Sequence, residues 1–356
     1  MTTPRQAPAE PEIDLRIVDA RLEQAGLSRA PRRREARANG REAKRPERVV
    51  AEELEPTRTA IPRVAGNGVP LLPAPGWEKH KWLWHGFSTR RGGLSRAYAA
   101  DGDGELNLGF TADDDGALVA ANRRLLAEAV TSDAETPIVN VHQVHSNIVV
   151  RVGREQVGKK PHRADGVMTD EPGMLIGVLT ADCIPVLVAD RKRRAVAAFH
   201  AGWRGTVSRI VEAGIGRMRM EFGSKPEDLV AAIGPGVGQC CYSVGEEVLA
   251  KFESQFAYGR ELFVQIDETD PVRRKYVAMF LNQRAPGHGI EPPRLHLDLI
   301  EANRRQLLDA GLGARAIKIV AGCTNCDTGM FFSHRASPGK AGRMMSVIGV
   351  KVDGEP

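Results

Sequence analysis

From Trp77 onward the apolar positions fall into short blocks separated by glycine, proline and polar clusters, and these blocks predict the elements. "WLWHGFSTR" reads as a strand, and residues 113–130 read as a helix carrying Leu118, Leu125 and Leu126. "TPIVNVHQVHSNIVVRV" predicts one or two strands with a bend, and "GVMTD" and "MLIGVLTADCIPVLVAD" add further strands. "AVAAFHAGWRGTVSRIVEAGIGRM" reads as a strand, a glycine turn and a long helix. The strand "LVAAIGPGV", the helix "VGEEVLAKFESQF", the helix "LDLIEANRRQLLDAGL" ended by Gly311, and the strand "RMMSVIGV" complete the order. No internal repeat is visible. Adjacent strands with interspersed helices predict an α/β core of the mixed α+β kind, with helices on the outer faces of packed sheets.

Upstream the pattern weakens. Residues 12–27 fit a short amphipathic helix with Ile13, Ile17, Leu22 and Leu27 near one side, while "EPTRTAIPRVAGNGVPLLPAPGW" (55–77) reads as a linker or a draped, irregular arm. The expected division is therefore an Arg-rich, largely disordered N-terminal extension over 1–76 and a catalytic domain over 77–356.

Charge sharpens that division. Between Ser28 and Arg48 there are nine Lys or Arg against three Glu, a surplus of six in a chain whose net charge is +5. The rest is close to neutral. Such a run can clamp phosphate backbones in a salt-sensitive way, but no aromatic residue is interleaved, so a solvated tail is the expectation rather than a nucleic-acid partner. No window has the roughly 18 uninterrupted apolar residues of a membrane span, and "MTTPRQAPAEPEIDLR" lacks the layout of a secretory signal. No membrane partner is expected. Five cysteines, two of them adjacent as Cys240 and Cys241, suit a reducing compartment, so a cytoplasmic address is the expectation.

Three donors in the central third of the chain invite chemistry: His145 in "QVHS", Cys183 in "TADC" and His200 in "FHAGWRG". Two imidazoles and a thiolate suit zinc with a position left open, the arrangement of catalytic sites. Their separations of 38 and 17 residues follow no local metal motif, and a buried cysteine ordinarily serves as a small hydrophobe, so packing remains the ordinary reading of Cys183. His142 competes with His145 in "HQVH"; the polar Ser146 and Asn147 that follow favour His145 at a loop mouth. Asp182 and Asp165 are candidates for carrying a proton or orienting a ligand, although Asp165 in "ADG" also suits a plain turn. Arg90, Arg204, Ser333 and Arg335 lie in glycine-containing segments that follow strands and are candidates for a phosphate or sugar, with solvated loops as the alternative. "CTNC" (323–326) has the spacing of half a zinc ribbon, but no second CxxC exists, so an incidental pair is expected.

Together "QVHS", "ADGVMTD", "LTADCIPVLVAD", "AAFHAGWRGT", "AAIGPGVGQCCYSVGEEV", "LDLIEANRRQLL" and "CTNCDTGMFFSHR" resemble the YfiH-type family, also called the laccase-domain or multicopper polyphenol oxidase family, and more recently purine nucleoside phosphorylases of that type. The resemblance runs in order over about residues 78–351. It implies a four-layer α/β/β/α sandwich, distantly like cytotoxic necrotizing factor catalytic domains, and a metal, usually zinc, on His145, Cys183 and His200. It also implies phosphorolysis of adenosine, inosine and S-methyl-5'-thioadenosine, together with adenosine deamination; older descriptions imply copper-dependent phenol oxidation, and a role in peptidoglycan editing. The chain departs from the family at Ser243, where many members carry Glu, and at Cys326, which is not a family feature. Nine histidines without a His-x-His pair argue against a four-copper cluster, leaving a single copper as the alternative metal. A Cys183–His200 hydrolase, and an RNA-tethered protein acting through the basic tail, are the readings outside that chemistry.

Overall fold

A computed structural model of the chain describes residues 46–50, 59–99, 104–267 and 294–352. The helix expected over 12–27 and most of the basic run lie outside the described residues.

Two six-stranded sheets form the centre. The first runs in the order Arg63–Val64, Pro70–Leu72, Leu83–Ser88, Met344–Val350, Met174–Thr180, Ile138–Asn140. The second runs Ile317–Ile319, Leu229–Ile233, Ile184–Asp190, Ala195–Ala201, Gly166–Thr169, Val149–Arg151. Three cores show how they stack. Leu72, Phe87, Ile176, Val178 and Ile348 of the first sheet pack with Val167, Leu187, Val196, Ala198 and Ala232 of the second. The other face of the first sheet, through Leu71, Trp84, Leu175 and Val347, meets Leu126 of the helix Gly116–Thr131. The other face of the second sheet, through Val186, Phe199 and Ala231, meets Ile210, Ile215 and Met218 of the helix Ile210–Phe222 and Leu307 of the helix Leu299–Asp309. The layers are therefore helix, sheet, sheet, helix: the mixed α/β sandwich expected.

Local chemistry fixes the ends of these elements. Asp115 caps Gly116–Thr131 by accepting from the Ala117 amide at 2.8 Å, and Asp298 caps Leu299–Asp309 by accepting from the Glu301 amide at 2.8 Å. Gly311 follows the latter helix at φ 95°, where a Cβ would be strained.

Two expectations differ from the structure. The long helix after His200 is broken into Trp203–Val207 and Ile210–Phe222, because Arg209 stands at φ 61° between them. The compact unit begins at Pro46, upstream of the boundary expected at Trp77. Within the supposed arm, Arg63–Val64 pairs with Pro70–Leu72, which pairs in turn with Leu83–Ser88, and Val69, Leu71, Leu72 and Ala74 are buried. Arg63–Val64 is the edge of the first sheet, and Pro70 is tolerated one strand in because it is the first residue of its strand, ahead of the pairing of Leu71 and Leu72 with Ser88 and Phe87. Farther upstream, Glu47–Val50 runs parallel to Phe263–Asp267 in a separate four-stranded sheet. Among the described residues no helix is long and apolar enough to cross a membrane.

Candidate metal centre

The antiparallel pair Ile184–Asp190 and Ala195–Ala201 builds the site. Pro185 lies opposite His200 and Ile184 opposite Ala201, so Cys183 and Gly202 meet where the pair ends. A Cβ on Gly202 would stand 2.8 Å from the Cys183 sulfur and 3.7 Å from His145 Nε2, so only glycine leaves those donors room to face one another. His145 comes from the loop between Ile138–Asn140 and Val149–Arg151, with φ at 61°. One donor atom from each of His145, Cys183 and His200 lies within 4.8 Å of the others, and the two imidazole rings stand edge to face with centroids 5.0 Å apart. The three candidates from the sequence are thus brought together, while His142 stays exposed in a bridge to Arg163.

Asp165 holds this set in place. It is fully buried, and its carboxylate accepts from the amides of Val144, His145 and Ser146 and from the Ser146 hydroxyl at 2.7 Å. It also faces His200 Nδ1 at 2.9 Å, while its backbone carbonyl accepts from the His200 amide. With Nδ1 held by the carboxylate, Nε2 is the nitrogen left to face Cys183, the arrangement that orients metal-binding histidines. Burial would raise the Asp165 carboxyl, but the bonds from His200 and Ser146 outweigh it and bring it down to about 2. Burial would likewise raise the Cys183 thiol; the charge of His200 and hydrogen bonds from both histidines bring it down to about 6. His200, which burial would lower, is lifted by Cys183 and Asp165 to about 9. Thiolate and imidazolium stabilise each other here, and a divalent cation would replace the imidazolium proton.

Asp182 has a different place. At φ 94° its backbone is strained, and its carboxylate accepts from Thr324 Oγ1 at 2.6 Å, Ser333 Oγ at 2.7 Å and the Arg335 amide at 2.7 Å. It pins the 323–335 loop beside Cys183, which leaves the Ser333 hydroxyl buried and engaged. The Arg335 guanidinium donates to Ser243 Oγ at 2.9 Å and to the Ser243 carbonyl at 2.8 Å, and lies over the Tyr242 ring. Arg204 is exposed and stacks over Trp203. Arg90 is spent elsewhere: it pairs with Glu105, donates to the Thr328 and Tyr98 carbonyls, and lies over Phe332. The residue that sequence reasoning missed is Tyr242. Burial and the neighbouring Cys183 charge raise its hydroxyl's pKa, with Arg335 and Arg204 opposing, so it stands among the very groups that flank the site. A surface cavity of about 510 Å³ lined by Asn67, Trp77, His85 and Lys351 includes none of these residues.

The pair Cys323 and Cys326, expected to be incidental, is not isolated. Their sulfurs gather with those of Cys240 and Cys241, all within 4.8 Å of one another. The second half of the set comes from an adjacent pair rather than from another CxxC.

Comparison with known proteins places this architecture. The profile described as multi-copper polyphenol oxidoreductase laccase matches residues 84–351, and the chain belongs to that family. A Bacteroides thetaiotaomicron protein named purine nucleoside phosphorylase is 33% identical over 271 residues, covering 74% of this chain and 90% of its own. A Deinococcus radiodurans protein of the same name is 35% identical over 288 residues, covering 80% of this chain and 94% of its own. The crystal structure of Bacillus licheniformis YfiH superposes with a TM-score of 0.66 at 29% identity, covering 81% of this chain and 98% of the other.

Proposed function

We propose that the protein is a zinc-dependent purine nucleoside phosphorylase, converting adenosine, inosine or S-methyl-5'-thioadenosine with phosphate to free base and the corresponding ribose 1-phosphate, and that it also deaminates adenosine. The observation that carries this reading is the convergence of His145, Cys183 and His200 around one point, with Asp165 fixing His200 from behind. The names of relatives that cover most of this chain supply the reaction class. The donor set fits zinc: two imidazoles, one thiol already driven toward thiolate, and a Gly202 that leaves their facing side clear. Bound zinc supplies Lewis-acid polarisation of a water or substrate oxygen.

The remaining tasks fall to the chain's own residues. Phosphorolysis needs cations facing the incoming phosphate, and Arg204 and Arg335 suit this better than Arg90. Arg335 has only neutral partners in Ser243, whereas Arg90 is neutralised by Glu105. A serine where many family members carry glutamate thereby leaves the Arg335 charge available. Asp182 acts as a positioning residue for Arg335 and Ser333. The Trp203 and Tyr242 rings carry the Arg204 and Arg335 guanidiniums over their faces, which steadies those two charges.

Purified protein incubated with adenosine and phosphate is expected to release adenine and ribose 1-phosphate, and to yield inosine without phosphate. Replacing Arg204 or Arg335 by alanine should raise KM for phosphate more than KM for adenosine. Absence of both products from zinc-loaded protein overturns the reading. The thiolate and imidazolium of Cys183 and His200 favour a second reading, a cysteine hydrolase. Chelation separates the two, since it abolishes the first activity and spares the second. Copper in the same donors, with phenol oxidation, would show as copper-dependent activity without nucleoside turnover.

A further inference from the structure

The four cysteines outside the candidate centre form a second donor set. We propose that Cys240, Cys241, Cys323 and Cys326 bind a structural zinc ion as a tetrathiolate, tying together the loops that follow the strands Leu229–Ile233 and Ile317–Ile319. Tetrahedral zinc with Zn–S of about 2.3 Å places its sulfurs roughly 3.8 Å apart. Cys326 Sγ lies 3.5 Å from Cys240 Sγ and 3.3 Å from Cys241 Sγ, and all four sulfurs lie within 4.8 Å of one another. A disulfide needs about 2.05 Å, and all four thiols are free. The spacings are those of an S₄ cage rather than of a bonded pair.

The surroundings are also built for sulfur. The Gly238 amide donates to Cys323 Sγ at 3.2 Å, as backbone amides do to metal thiolates. A Cβ on Gly238 would lie 3.2 Å from Cys240 Sγ and 3.4 Å from Cys323 Sγ, so glycine admits the close approach. The Cys241 and Tyr242 amides both return to the Gly238 carbonyl, making the tight turn that presents Cys240 and Cys241. On the facing loop the Asp327 amide donates to the Cys323 carbonyl, closing the turn around the CxxC. Cys323 is buried, Cys240 and Cys241 half-buried and Cys326 exposed, so the cage would be closed by protein on one side and reachable by an ion on the other. Binding Zn²⁺ releases the remaining thiol protons to solvent and changes no oxidation state.

The ion would act on the other site through Asp182. Gly236 bridges Cys323, the Thr324 amide donates to the Gly236 carbonyl, and the Val237 amide donates to the Asp182 carbonyl. Both loops that supply sulfur therefore also grip the residue beside Cys183.

Zinc counting on the full chain tests this. In the double variant His145→Ala/His200→Ala, which dismantles the candidate centre, one zinc per chain is expected to remain, with an all-sulfur shell near 2.3 Å by X-ray absorption. Cys323→Ser/Cys326→Ser should lower the zinc content of otherwise unaltered protein by one per chain. Should either variant fail to fold, the unaltered protein gives the same answer. Native alkylation should spare Cys240, Cys241, Cys323 and Cys326 when zinc is loaded, and label them after chelation. Zinc absent from the histidine variant, a shell containing nitrogen, labelling indifferent to chelation, or a disulfide through Cys326 in freshly purified protein would each overturn the proposal.

Discussion

The His145/Cys183/His200 centre and the four-cysteine cluster lie on neighbouring loops, yet their donor sets differ in kind. The first has three donors of two types, one imidazole oriented by a buried carboxylate, and a side kept clear by Gly202. The second has four donors of one type, which would complete a tetrahedron and leave no position for a substrate. An open set of mixed donors suits turnover. A closed set of like donors suits holding loops, and its disruption should register as lost stability before lost chemistry.

The comparison breaks first at Cys183. Cys183→Ala is expected to lower kcat/KM for phosphorolysis by about 10³-fold or more, on the order of 4 kcal/mol, while Tm changes little. Steady-state kinetics beside a melting curve checks both halves. If activity survives, the open set is not the reacting one. Asp165→Asn comes next, with zinc affinity or activity falling roughly 10- to 100-fold as His200 loses its anchor. Zinc titration separates that effect from loss of fold. Cys326→Ser should do the opposite of Cys183→Ala, lowering Tm by roughly 5 °C, for a loss of about 2 kcal/mol, with kcat/KM altered only a few-fold. A larger kinetic than thermal effect would move the cysteine cluster into the chemistry.

A further effect, read in stability alone, concerns the half-buried imidazole of His85, where the neighbouring Glu78 charge only partly offsets burial. His85 packs edge to face on Trp77, its Nε2 has no hydrogen-bond partner, and burial lowers it to about 4. The unfolded chain takes up this proton below about 6.5, while the folded chain refuses it until about 4. Stability should therefore fall as pH drops through that window, by at most about 1.4 kcal/mol per unit from this group, and level off below it. Denaturant melts at successive pH values should show the slope, and His85→Leu should flatten it.

Local features of this chain are legible in its sequence, and features assembled from distant segments are not. The helix Gly116–Thr131 was legible because its cap and spacing are local. In "AVAAFHA", by contrast, Ala195, Ala197 and Phe199 face one core while Val196 and Ala198 face another. Both faces are apolar, so no alternation told which way His200 points. The metal donors came from resemblance, since separations of 38 and 17 residues carry no local pattern. The cysteine cluster was hidden for a related reason. An adjacent pair 82 residues before Cys323 lacks the CxxC spacing, and the two segments meet only once the chain folds and Gly236 bridges Cys323. The break at Arg209 had no glycine or proline to announce it.

The parallel strand Glu47–Val50 has a practical consequence for anyone trimming the chain to its family-matching part. A chain shortened to residue 84, where that match begins, loses the backbone partner of Phe263–Asp267 as well as the strands Arg63–Val64 and Pro70–Leu72. Each loss bares a row of amides and carbonyls ready to recruit the same edge of another molecule. Shortening from the front thus trades a basic tail for two adhesive borders, and the first place to cut without exposing them is before Pro46.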